Sequence, residues 1–187
     1  MIEIGVIRIS LAFLLLAEQG VLALLTRRRR KRKRMQSRGH DMLLALWVVY
    51  IALLLLIAQL PNVRLKVNNA AGLVLLALGI LFRTWPLHSI GDSYAPAITI
   101  YEHQQLVQNG AYARFAHPLY AGLALELIGL AVITASPVGY MFAVLGIAVT
   151  RVQVAREERL LTATYGDEYT GYRKRVWDFG DHYRRMR

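Results

Sequence analysis

Two short motifs contain side chains that could take part in chemistry. The first is the tetrapeptide His117-Pro118-Leu119-Tyr120, and the second is the adjacent carboxylates Glu157 and Glu158. Imidazole and carboxylate groups are common general bases, but a histidine followed by proline also begins many ordinary helices. The two glutamates could equally lie in water and pair with Arg156 or Arg159. Neither motif identifies a reaction by itself.

The sequence lacks the residues of several common kinds of catalytic site. It has no cysteine, which excludes disulfides, thiolate nucleophiles and cysteine–zinc sites. Its 5 histidines are not at metal-ligand spacing, so no metal site is predicted. Neither a phosphate-binding glycine loop nor a Gly-x-Ser-x-Gly nucleophile motif is present. The pattern therefore does not favour a hydrolase or a metalloenzyme.

Both motifs lie at the ends of long apolar segments, in a chain of 187 residues that is 56% hydrophobic. A helix of ~20 apolar residues crosses a bilayer core of ~30 Å and satisfies its own backbone hydrogen bonds. We predict an all-α integral membrane protein with about five transmembrane helices and a cytoplasmic C-terminal helical cap. The segments are residues 4–25, 42–60, 69–87, 119–135 and 138–154. Residues 1–66 are expected to form an N-terminal region and residues 67–187 the functional core.

The distribution of positive charge predicts how these helices are oriented. The net charge is +11, and eight consecutive cations begin at Arg27 and end at Arg34. Because cytoplasmic loops are rich in lysine and arginine, we expect this run, residues 83–118 and the C-terminus to be cytoplasmic and the N-terminus outside. The run is also expected to attract anionic lipid. Nucleic-acid binding is not favoured, because no aromatic residues interleave with the charges.

Local patterns predict how the segments pack. Gly72 and Gly79 are seven residues apart on one helical face, where they would allow a neighbouring helix to approach closely. Ser136-Pro137 predicts a tight turn between the last two segments. Segment five continues as an amphipathic helix, which Gly166-Asp167 ends, with Asp167 able to cap the next helix. Helical spacing would then place three residues on one face, where they could cover a pocket mouth or rest in the membrane interface: Tyr169, Tyr172 and Val176.

The order of these motifs resembles the isoprenylcysteine carboxyl methyltransferase family and related membrane phospholipid methyltransferases. The similar stretches are LVQNGAY, AHPLY, a helical hairpin, AREERLL and YGDEYTGYRKRV, which together cover roughly residues 89–176. The resemblance implies an S-adenosylmethionine-dependent methyltransferase that acts on a lipophilic acceptor from the bilayer. The acceptor could be a prenylcysteine-like carboxylate, a phospholipid amine or another small isoprenoid or lipid. The positions that match the family's cofactor-binding residues are Gln104, Gln105, Leu106, Val107, Tyr112, His117, Pro118, Leu119, Tyr120 and Glu157.

The chain departs from the family pattern at three positions, which are Gln104, Ala116 and Gln153. The family has histidine, arginine and arginine there. Gln153 matches the arginine that helps to hold a substrate carboxylate, and Arg151 lies two residues earlier, so both are candidate substrate-binding residues. Glutamine supplies only neutral dipoles, which weakens the expectation of a carboxylate acceptor.

An amine or hydroxyl acceptor would also need a base. His117 and Glu158 are the candidates for it, and Arg156 is a further candidate catalytic residue. The alternative to an enzyme is a non-catalytic membrane protein that keeps the same fold and binds lipid or a partner, which the three substituted positions leave open. A transporter is disfavoured, because no midplane charges or paired broken helices are apparent.

Overall fold

The computed structural model describes residues 34–38, 69–90, 98–101 and 105–178. The expected membrane segments at residues 4–25 and 42–60 lie outside these ranges, as does the basic run apart from Arg34. The predicted number of five spans, and the predicted orientation of the chain in the membrane, therefore stay predictions.

Three long helices form the body of the described structure. They are α1 (Asn69–Ile90), α2 (Pro118–Thr134) and α3 (Pro137–Tyr165). Each coincides with one of the three last apolar segments, which confirms that these segments are helical. Within α1, Ala70–Leu87 is long and apolar enough to cross a membrane, and so is α3, while α2 is shorter at 17 residues. Their shared core includes Leu76 from α1 and Leu123, Leu127 and Leu130 from α2.

Helices α2 and α3 form the antiparallel hairpin that the turn signal predicted. Ala135 ends α2 in the left-handed region at φ 48°, and α3 begins at Pro137. Proline is favourable at this first helical position, because the N–H that it lacks would have no partner within the helix. The hairpin brings the far end of α3 back to the start of α2, which is where the two sequence motifs lie.

Glycines let α1 and α2 approach at backbone distance. A Cβ atom added at Gly79 would lie 2.8 Å from the carbonyl oxygen of Gly122, and one added at Gly129 would lie 2.7 Å from the backbone nitrogen of Leu76. Gly72 makes the same kind of contact with Gly129. The predicted packing role of Gly72 and Gly79 is thus confirmed, and their partners are glycines of α2.

A buried ion pair joins the same two helices and corrects the view that the apolar segments carry no deep charge. Arg83 Nη1 donates to Glu126 Oε2 at 2.8 Å, and the Glu126 side chain is fully buried. The aliphatic stems of the two residues pack where Gly122 and Gly79 have no side chain. Charges at this depth are costly unless they are paired, so the ion pair and the glycines together fix the position of α1 against α2.

The C-terminal part of the described chain folds back over the end of the hairpin. Helix α3 extends well beyond its apolar part, as predicted, and Gly166 ends it at φ 53°. Helix α4 (Asp167–Arg175) follows directly. Asp167 was expected to cap this helix, but it is the first helical residue, and Gly166 occupies the cap position without a side-chain hydrogen bond. The carboxylate of Asp167 still lies at the N-terminus of α4, which is the positive end of the helix dipole.

A two-stranded antiparallel ribbon is the one departure from an all-α fold within the ranges described. Strand β1 (Arg34–Arg38) pairs with β2 (Ile98–Tyr101), and Gln36 lies opposite Ile100. The ribbon connects the end of the basic run to the stretch between α1 and α2, two parts of the chain that we predicted to lie on the same side of the membrane.

Candidate active site

The site begins with His117, which occupies the cap position immediately before α2. Its backbone is non-helical, with φ −132° and ψ 62°, and Pro118 is the first helical residue. The side chain is buried, with 5% of the residue exposed, and its ring lies 6.0 Å from that of Tyr120. The helix start that proline imposes therefore directs an imidazole into the protein rather than into solvent.

The two glutamates of α3 lie on either side of this imidazole. His117 Nδ1 is 4.0 Å from Glu157 Oε2, and His117 Nε2 is 3.5 Å from Glu158 Oε1. These distances are too long for good hydrogen bonds, and His117 Nε2 and Glu157 Oε2 are buried without a hydrogen bond to any described residue. The hairpin thus unites the two motifs, which are separated by about forty residues in the sequence.

Arg173 of α4 links Glu158 to a second carboxylate. Its Nη2 atom lies 2.8 Å from Glu158 Oε1, and its Nε atom donates to Asp178 Oδ2 at 2.9 Å. Burial lowers the pKa of Arg173, but the hydrogen bond and charge of Asp178 and the charge of Glu158 more than offset this, so the net pKa is raised. Glu158 therefore pairs with Arg173 and lies 3.5 Å from His117 Nε2, and it does not pair with Arg156 or Arg159.

The ligand atoms of His117, Glu158 and Asp178 lie within 4.8 Å of one another, which is compatible with a metal site. The guanidinium of Arg173 already lies between the two carboxylates and bonds to both. It supplies the positive charge that a metal ion would bring, so this cluster gives no reason to propose a metal.

Helix α4 packs its apolar face over the residues that precede His117. Tyr169, Tyr172 and Val176 are buried against Ala116, and Leu106 packs against the same cluster. The prediction that these three residues share a helical face is confirmed, and all three are buried, while their role over a pocket mouth stays a prediction. The cluster holds α4 on the two motif segments that the family resemblance singles out.

Hydrogen bonds hold the end of α4 in place. Tyr172 donates its hydroxyl to the carbonyl oxygens of Tyr112 at 2.9 Å and Phe115 at 3.2 Å. Beyond the helix, Ala116 N donates to Trp177 O at 2.9 Å, and Trp177 N donates to Arg114 O at 2.8 Å. This backbone pairing carries Asp178 to the position where Arg173 binds it.

The structure brings together some of the sequence candidates and leaves others apart. Leu106 and Val107 are half-buried, whereas Gln105 is exposed and Gln104 lies outside the described residues. Gln153 is buried on α3, with 2% exposed. Arg151 and Arg156 are exposed on the same helix. The roles assigned to these positions stay predictions.

Three contributors to the cluster were not identified as site residues from the sequence: Tyr169, Arg173 and Asp178. Tyr169 was assigned to the cover, and Arg173 was counted only among the basic residues of the tail. The spacing carried a partial signal, because Tyr169 and Arg173 are four residues apart and so share a helical face. Asp178 had no such signal, since its position depends on the pairing of Trp177 with Phe115.

Two known proteins are similar to this chain. The rat (Rattus norvegicus) protein-S-isoprenylcysteine O-methyltransferase is 30% identical over 111 residues, which cover 58% of this chain and 39% of the relative. A solved structure of the eukaryotic intramembrane Ras methyltransferase ICMT (isoprenylcysteine carboxyl methyltransferase) matches with a TM-score of 0.56 and 20% identity, over 72% of this chain and 49% of that one. The chain thus spans less than half of the length of either relative.

The family model for phospholipid methyltransferase matches residues 67–168, which is more than half of the sequence and includes His117, Glu157 and Glu158. The resemblance that the motifs indicated is confirmed by this match and by the two relatives. This chain is a member of the phospholipid methyltransferase family.

Proposed function

We propose that this protein is an integral membrane methyltransferase that uses S-adenosylmethionine to methylate a lipophilic acceptor. The proposal rests on one observation. His117 lies next to Glu157 and Glu158 at the open end of the hairpin that α2 and α3 form. This cluster lies beneath α4, at the polar end of helices that are long and apolar enough to cross a membrane. A polar donor could approach it from water and a lipid-like acceptor from the bilayer.

The polar atoms of the cluster fit the proposed donor. His117 Nε2, Glu157 Oε2 and the hydroxyl of Tyr169 are buried and form no hydrogen bond with the described part of the chain. Because buried polar groups are nearly always hydrogen-bonded, these atoms are suited to a polar ligand. The carboxylate of Glu157 would attract a cationic group such as the ammonium or sulfonium of S-adenosylmethionine. We therefore propose that Glu157 binds the donor.

His117, Glu158 and Arg173 would act on the acceptor. S-adenosylmethionine, when bound, supplies a methyl group on a positively charged sulfur. His117 Nε2 is placed to take up the proton of an amine or hydroxyl acceptor, with Glu158 facing the same nitrogen at 3.5 Å. Arg173 holds Glu158 in this position. Alignment of the reactants in a site closed to water would supply most of the rate enhancement.

Gln153 supports an amine or hydroxyl acceptor over a carboxylate. It occupies the position of the family's carboxylate-binding arginine and is buried on α3. Arg151 and Arg156 are exposed, and Arg173 is engaged by two carboxylates of the protein. A carboxylate acceptor would thus lack the fixed cation that aims it.

We further propose that the site faces the cytoplasm, as the positive-inside rule predicts for residues 83–118 and 155–187. The run from Arg27 to Arg34 would then lie on the same side and attract anionic lipid, at about 1 kcal/mol for each cation near the surface.

An acceptor screen tests the proposed function. The full chain in nanodiscs would be incubated with S-adenosylmethionine labelled on its methyl group and with one of three acceptors: phosphatidylethanolamine, a prenyl alcohol or S-farnesylcysteine. We expect label in the lipid fraction with the amine or the alcohol. Transfer confined to S-farnesylcysteine would overturn the acceptor assignment. Absence of transfer to all three, together with absence of donor binding, would favour the non-catalytic alternative.

A further inference from the structure

Two tyrosines on the same face of α4 differ in what their hydroxyl groups contact. Tyr169 and Tyr172 are both buried, with 2% and 3% exposed, and their rings lie 6.1 Å apart. Tyr172 donates to two backbone carbonyl groups. The hydroxyl of Tyr169 has no hydrogen-bond partner among the residues that the structure describes. The two side chains therefore share a packing role, but only one of them has a structural use for its hydroxyl.

The surroundings of Tyr169 place this hydroxyl at the active site. Its ring is packed in the apolar cluster that contains Ala116, the residue before His117. Burial raises the pKa of Tyr169 above its ordinary value of 10.0, the nearby charge of Glu158 raises it further, and the charge of Arg173 opposes this in part. The phenol thus keeps its proton at physiological pH and can donate a hydrogen bond. It lies close enough to the carboxylates of the site for their charge to affect it.

A buried hydroxyl without a partner is costly. Leaving such a donor unsatisfied destabilises a protein, and phenylalanine would fill the same space without this cost. Native proteins retain few such groups, and those that they retain often serve a ligand. His117 Nε2 and Glu157 Oε2, in the adjoining site, are also buried without a hydrogen-bond partner among the described residues, so the hydroxyl is one of several polar atoms that bound reactants could contact.

We propose that Tyr169 is a ligand-binding residue of the active site, and that its hydroxyl donates a hydrogen bond to an oxygen atom of the methyl donor. The proposal rests on the proposed function and adds α4 to the donor site. The carboxylate and the ribose oxygens of S-adenosylmethionine are acceptors of the kind required. In this arrangement, α4 contributes to binding as well as covering the site.

Calorimetric titration of the full chain in detergent with S-adenosylmethionine tests the proposal. Tyr169→Phe is expected to weaken binding about tenfold, the effect of losing one hydrogen bond of about 1.4 kcal/mol. Tyr140→Phe, at the opposite end of α3, is the matched control and should bind as the parent does. Thermal unfolding without donor should give Tyr169→Phe an unchanged or higher midpoint, whereas Tyr172→Phe, which loses two hydrogen bonds to the backbone, should have a lower one.

Two results would overturn the inference while leaving the proposed function intact. One is equal donor affinity of Tyr169→Phe and the parent protein. The other is a fall in the unfolding midpoint of Tyr169→Phe as large as that of Tyr172→Phe, which would show that the hydroxyl has a structural partner. Failure of the parent protein to bind the donor would instead overturn the proposed function, and the inference with it.

Discussion

Glu126→Leu is expected to lower the free energy of unfolding by about 3–5 kcal/mol, the largest effect that we expect of any single substitution on stability. The glutamate is fully buried, and it accepts a hydrogen bond from Arg83 at 2.8 Å. Its replacement leaves the guanidinium buried next to an apolar side chain. Unfolding in detergent, followed by circular dichroism, would measure the loss.

The double variant Arg83→Met with Glu126→Leu is the control for this prediction. Removal of both charges also removes the buried guanidinium, and an apolar pair of similar volume should pack in its place. We expect the double variant to recover at least half of the stability that Glu126→Leu loses. Additive losses from the two substitutions would mean that the residues act independently, against the account of a coupled pair.

Glu126→Leu should also affect the active site. Phe82 and Trp85, which flank Arg83 on α1, contact Phe115 edge-on, with ring centroids 5.3 and 6.5 Å away. Phe115 lies two residues before His117. The ion pair lies deeper between the two helices than these rings do. A shift of α1 against α2 would nevertheless move Phe115, and with it the segment that positions the imidazole.

His117→Ala is expected to slow methyl transfer about 100-fold or more, the usual contribution of a general base. The imidazole is buried, with Nε2 facing Glu158. The rate would be measured at saturating donor with the acceptor that the screen selects. Glu158→Gln should slow the reaction less, since it removes the charge that faces the base but leaves the base in place.

Thr164→Ala, at an exposed position of α3, is the control for these rates. A rate of His117→Ala within threefold of the parent rate would contradict the role of His117 as the base. That result would point to an acceptor that needs no proton removed, and it would reopen the assignment of a carboxylate acceptor.

Much of the helical architecture could be predicted because it follows from local properties of the chain. The apolar runs at residues 69–87, 119–135 and 138–154 match α1, α2 and the first part of α3 to within a few residues. The turn at Ser136-Pro137 and the break at Gly166 were visible in the residue types. Helix α1 nevertheless continues through Pro86 to Ile90, beyond its apolar run, and Ser89 Oγ in its last turn accepts a hydrogen bond from Ala111 N at 3.3 Å.

The parts that could not be predicted depend on contacts between residues distant in the sequence. The Arg83–Glu126 pair spans 43 positions, and hydropathy alone does not show which helix faces meet. The ribbon of β1 and β2 likewise depends on pairing between two segments that all of α1 separates in the sequence. In the candidate site, His117 and Glu157 were recognised through motif order, whereas Arg173 and Asp178 joined them through the fold of the C-terminal segment.

The central claim is that Glu157 and its neighbours bind S-adenosylmethionine, and calorimetric titration of the parent protein and of Glu157→Ala tests it most directly. The Glu157 side chain is 31% exposed and its buried oxygen forms no hydrogen bond with the described chain, so its removal should leave the fold intact. Glu168→Ala, which removes an exposed carboxylate that contacts Gln108, is the matched control. Loss of a charge-assisted contact of about 1.5–3 kcal/mol predicts at least tenfold weaker binding by Glu157→Ala and unchanged binding by Glu168→Ala. Equal affinity of Glu157→Ala and the parent protein, or no binding by the parent protein, would contradict the claim.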